Sequence, residues 1–112
     1  MEKTFHKLVR DFIPDIIQNN GDVPFIRTLN EDEYKYELLK KLKEEVEEVC
    51  SAEEKENIIE ELADVYEVLM AIAMVEDSTM EQVVEIANQK RLKRGGFQKR
   101  IFLEKTCDKN RD

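Results

Sequence analysis

Four carboxylates, arranged as two pairs of the same spacing, are the residues of this chain best suited to chemistry. Glu45 and Glu48 lie three apart in Glu44-Glu45-Val46-Glu47-Glu48, and twelve residues later Glu61 and Asp64 repeat the interval. On a helix, residues three apart project from one side, a turn from each other, so each pair aims two carboxylates in one direction. Four carboxylates converging between two helices would make a site for a hard divalent cation.

Their position among the apolar residues separates these acids from the many others. At about 100° of rotation per residue, Leu38, Leu39, Leu42, Val46 and Val49 form one stripe. Glu45 falls on its edge beside Leu38, and Glu48 just outside it. In the second segment Glu61 falls among Val65, Val68, Leu69 and Ile72, and Asp64 between Ala71 and Val75. A carboxylate aimed into an apolar interface is costly unless something pairs with it. Glu44 and Glu47 read as solvated acids. That reading does not explain Glu61 and Asp64, because the only charged residues from Leu62 to Val75 are Asp64 and Glu67.

The elements that must carry these residues are helices. Asn30 followed by Glu33 is a capping pair for a helix over 31–51. Ser51 with Glu54 repeats the pattern and predicts a second helix to about Glu76. Ser78 with Glu81 opens a third over 79–94, closed by Gly95-Gly96, with Lys93 and Arg94 in its last turn. The short connection at 51–53 makes the first two antiparallel neighbours, which sets Glu45 and Glu48 opposite Glu61 and Asp64. Upstream, Pro14 to Asn19 reads as a short helix ending at Gly21. Residues 23–29 read as extended, with Pro24 denying a central-strand role. Phe97 to Leu103 alternates loosely and reads as an extended cover for the core, and a flexible tail begins at about residue 105. The expectation is a single all-α domain over 1–112: an antiparallel bundle of three long helices plus a short N-terminal one. The second helix is apolar almost all round from Leu62 to Val75, so the bundle is expected to be completed by oligomerisation, as a homodimer or homotetramer.

Composition agrees with this reading. The chain has 112 residues, 41% hydrophobic and 39% charged, with three glycines and two prolines, which favours long helices around one modest core. A net charge of −8 argues against a nucleic-acid polymer or an anionic membrane as partner. It leaves open a nucleotide held through a metal. Cys50 and Cys107 have no metal-binding spacing and read as reduced thiols. The first residues are polar, with no signal-peptide pattern, and the apolar run at 62–75 is too short to span a bilayer. A soluble cytoplasmic protein is expected. The only histidine, His6, reads as a surface residue, which excludes the Glu-x-x-His chemistry of di-iron bundles.

Glu44-Glu45-x-x-Glu48, the twelve-residue gap and Glu61-x-x-Asp64 together resemble the motif of MazG-like nucleotide pyrophosphohydrolases. These belong to the all-α NTP pyrophosphatase superfamily, which includes dimeric dUTPases and phosphoribosyl-ATP pyrophosphatases. Two flanks, Lys7-Leu-Val-Arg-Asp-Phe-Ile-Pro14 and Lys90-Arg-Leu-Lys-Arg-Gly-Gly-Phe97, resemble a small single-domain house-cleaning branch. The similarity covers about residues 5–104. It implies cleavage of a nucleoside triphosphate between the α- and β-phosphorus, giving a monophosphate and pyrophosphate, with Mg²⁺ or alternatively Mn²⁺. Carried over by position, Glu45, Glu48, Glu61 and Asp64 are the metal ligands. Glu44 and Glu45 are the catalytic carboxylates, Glu44 either binding metal or orienting the attacking water.

With no Walker-type glycine loop, phosphate must be held by metal and basic side chains. Lys90 and Arg94, four apart, either contact phosphate or merely complement the helix C-terminus. Asn88 is a candidate for base or phosphate contact. Arg10 contacts substrate or forms a structural ion pair with Asp11. Two rival functions remain: a specialised nucleotide such as phosphoribosyl-ATP as substrate, or a non-catalytic helical adaptor whose acids are solvated. The base and sugar preferred are not legible in any motif.

Overall fold

A computed structural model describes residues 1–109. It contains four helices: α1 (Ile13–Asn19), α2 (Glu31–Ser51), α3 (Lys55–Val75) and α4 (Met80–Arg94). No strand occurs among the described residues, so the fold is all-α. The chain groups into two compact units, Met1–Met80 and a second that begins at Glu81.

In the first unit α1 is a short turn of helix with Pro14 at its start, where proline's missing N–H costs nothing. It ends before Gly21, whose φ of +96° lies in the left-handed region that glycine enters most readily. The Gly21 N–H donates to the Gln18 carbonyl at 3.0 Å.

The start of α2 is capped as its sequence requires. The Asn30 side chain accepts from the Glu33 N–H at 2.9 Å, and Glu33 Oε1 accepts from the Asn30 N–H at 3.4 Å, closing a capping box. Arg27 adds a two-pronged bond to the same carboxylate, at 2.8 and 3.3 Å. The Arg27 hydrogen bond, and then the Asn30 N–H, hold the Glu33 carboxyl below its ordinary value.

The capping pair expected at Ser51 and Glu54 does not form. Ser51 is the last residue of α2, because the Ala52 N–H still donates to the Glu48 carbonyl at 3.0 Å. An N-cap needs extended backbone, and it is Glu54, at φ −81° and ψ 140°, that precedes α3, without a side-chain cap bond.

Helices α2 and α3 pack on each other, and their pairings fix the direction. Lys35, early in α2, meets Glu76 at the end of α3, at 3.7 Å. Glu45, late in α2, meets Glu61 and Asp64 in the first half of α3. The two helices are therefore an antiparallel hairpin, as the three-residue connection demands. Leu38, Val68 and Ala73 are buried, and Leu42, Val49, Val65 and Ile72 are half-buried around them. The stripe expected on α2 is wider than one neighbouring helix can cover. Leu38 is 4% exposed, whereas Leu39 is 53% exposed and Val46 also faces outward.

In the second unit every described residue is exposed. Gly95, at φ +84°, turns the chain after α4 and donates its N–H to the Arg91 carbonyl at 2.8 Å. A turn follows, in which the Arg100 N–H donates to the Phe97 carbonyl at 3.0 Å. The extended cover expected over 97–103 is not present: Phe97, Ile101, Phe102 and Leu103 are all largely exposed. Residues 23–29 carry no regular structure, and Val23, Phe25 and Ile26 are exposed. Of the tail expected to be flexible from residue 105, residues 105–109 are irregular and the rest lies outside the described residues.

Candidate active site

The α2–α3 hairpin brings three of the four paired carboxylates together. Glu45, Glu61 and Asp64, all half-buried, each place one carboxylate oxygen within 4.8 Å of the others. Glu48 stands one turn beyond Glu45 and is exposed, outside this group of three. It shares with Glu61 an open hollow near the helix connection, bordered also by Ser51 and Asn57.

Cations of the chain itself occupy two of the three carboxylates. The Arg10 guanidinium donates to Asp64 Oδ1 at 2.8 Å, so Arg10 is engaged by Asp64 rather than by Asp11. Lys41 lies 3.7 Å from Glu45 Oε1 and 3.7 Å from Glu44 Oε1, one turn back on the same helix. Among the described residues no cation pairs with Glu61. Burial pushes its carboxyl above the ordinary value, and the charges of Asp64, Glu48, Glu45 and Glu60 push it further. An unbalanced negative charge is thus concentrated at Glu61.

The donor set fits a small hard dication. All three donors are carboxylate oxygens, and Mg²⁺ takes such oxygens at roughly 2.1 Å in an octahedron. That geometry keeps ligand oxygens within roughly 4.2 Å of one another, so the 4.8 Å group needs only a small closure.

The cations expected to meet phosphate lie on α4. Lys90 and Arg94 border a second hollow, together with Arg91, Gly95, Gly96 and Phe97. Asn88 is exposed on the same helix and does not border it. Arg91, Lys93 and Arg94 also occupy the last turn, where cations suit the helix dipole. The sequence reading passed over Lys41 and Arg91. The first was legible as a lysine three and four residues before Glu44 and Glu45, the second as one of the cations in the basic run before Gly-Gly.

No described helix is long and apolar enough to cross a membrane. A stretch of 54 residues is 46% identical to an uncharacterised protein of Mycolicibacterium smegmatis, covering 48% of this chain and 55% of that relative. The chain thus spans about half the length of the curated relative it matches. No solved structure matches. The family model for phosphoribosyl-ATP pyrophosphohydrolase matches residues 4–91, a span that includes Arg10, the hairpin and all four paired carboxylates. The chain belongs to the phosphoribosyl-ATP pyrophosphohydrolase family.

Proposed function

We propose that this chain is a nucleotide pyrophosphohydrolase that cleaves a nucleoside triphosphate, of non-canonical base or sugar, to the monophosphate and pyrophosphate. The observation that carries the reading is the convergence of Glu45, Glu61 and Asp64 from two helices. These three would hold Mg²⁺ or Mn²⁺, with Glu48 joining from the next turn. When bound, the ion supplies positive charge to phosphate oxygens and makes water more acidic.

The remaining work falls to the chain's own groups. Glu44 stands beside the ligand set and is suited to orient the attacking water and take its proton. Lys41 holds Glu44 and Glu45 together from one side. Within the second unit, Lys90 and Arg94, with Arg91, are the basic groups suited in chemistry to a polyphosphate, and Asn88 is a hydrogen-bonding amide on the same helix. Arg10 is a further phosphate-binding candidate. A panel of triphosphates incubated with Mg²⁺ tests the proposal through pyrophosphate release. Absence of turnover across the panel would favour a non-catalytic adaptor. The family match gives a second reading, in which phosphoribosyl-ATP or a similar specialised nucleotide is the substrate.

The working state is proposed to be a homodimer or homotetramer. Leu62, Tyr66, Leu69 and Met74 leave α3 with a large apolar area exposed, more than a lone hairpin keeps in water without association. Sedimentation at micromolar concentration is expected to show an oligomer as the dominant species. A dominant compact monomer would overturn this assignment.

A further inference from the structure

We infer that Arg10 is a built-in counter-ion that competes with the divalent cation for Asp64, and so sets how tightly the free chain binds metal. The inference rests on the reading of Glu45, Glu61 and Asp64 as ligands.

Three observations carry it. The Arg10–Asp64 contact joins residues 54 apart, at 2.8 Å, so it is not an accident of neighbouring positions on one helix. Among the described residues it falls on one of the three converging carboxylates and on none of the other acids. The three are also balanced unequally, with Lys41 on Glu45, Arg10 on Asp64 and no cation on Glu61 among the described residues.

The two cations differ in how they could leave. Lys41 is one turn from Glu45 and its side chain is only 20% exposed, so it stays beside the site. Arg10 lies in the irregular segment before α1, with its side chain 58% exposed. It can be released into water at little cost. A dication entering the cluster meets repulsion from the guanidinium and needs oxygen lone pairs that Arg10 engages. Metal binding therefore displaces Arg10, and the freed guanidinium becomes available to phosphate oxygens, which it suits in geometry and charge.

An alternative role predicts the opposite sign. If Arg10 instead holds Asp64 in the orientation the metal needs, removing it must weaken binding. Calorimetric titration of Mg²⁺, without nucleotide, separates the two. R10Q is expected to bind Mg²⁺ roughly two- to five-fold more tightly than the wild type, the range that an exposed ion pair is worth. R10K, which keeps the charge, is expected to return towards the wild-type affinity. Unchanged or weaker binding by R10Q overturns the inference, and so does an R10K that behaves like R10Q. The reading of the site fails separately, if the wild type takes up no Mg²⁺ or if Glu61→Gln binds it as well as the wild type does.

Discussion

Glu61→Gln is expected to abolish the response of the protein to Mg²⁺ while leaving the hairpin folded. Glutamine keeps the size of the side chain and removes only the charge. In the metal-free chain that charge is a burden, because burial and four neighbouring acids act against it. A carboxyl whose folded value is raised favours folding while it is protonated. Its contribution is intact below the ordinary glutamate value of 4.5 and is lost as pH rises through the raised folded value. Without metal, the mutant should therefore melt at or above the wild type at neutral pH, and the two should converge in acid. Added Mg²⁺ should raise the wild-type midpoint, and go on raising it with the logarithm of its concentration above Kd, while leaving the mutant unmoved. Differential scanning calorimetry with and without Mg²⁺ reads both effects. A mutant stabilised by Mg²⁺ as fully as the wild type removes Glu61 from the ligand set.

In ¹⁸O-labelled water, turnover of a triphosphate with Mg²⁺ is expected to place the label on the nucleoside monophosphate. The chain offers no Ser-His or Cys-His arrangement, since its single histidine, His6, is an exposed residue outside the carboxylate group. Direct attack by water on the α-phosphorus is then the simplest route, with pyrophosphate as leaving group. Label in the pyrophosphate would locate the attack at the β-phosphorus. Orthophosphate as first product would exclude the reaction. Replacing Glu44 by Gln should lower the rate by about 10²-fold or more if it takes the water's proton, with little effect on folding, because Glu44 is exposed.

What could be read before folding was what the local chain encodes. Asn30 with Glu33 fixed the start of α2, and Gly95 the end of α4, because caps depend on residues within a turn of one another. The spacing of the acids placed Glu45, Glu61 and Asp64 on facing sides, because a short connection leaves a hairpin little choice of register. Ser51 misled because its own backbone still belongs to α2, and no residue type reports that in advance. Glu48 was placed with Glu45 by periodicity alone, yet one turn along the hairpin is enough to set it outside the close group. The Arg10–Asp64 pair was illegible for another reason: a contact between residues 54 apart leaves no local pattern. Exposure of the apolar residues over 97–103 was also hidden, since alternation says which residues could be buried and not what is there to bury them.

The three-residue link between α2 and α3 has a consequence for how the protein comes to exist. All three converging carboxylates belong to one helical hairpin, and closing so short a loop is among the fastest events in folding. Arg10 must instead be brought in from a segment beyond α1, across a separation of 54 residues, which costs more chain entropy and comes later. The three carboxylates should assemble before the guanidinium that pairs with Asp64 arrives. A newly made chain would then meet the ions of its surroundings with Asp64 still unguarded, and would take up metal during folding somewhat more readily than the finished chain does.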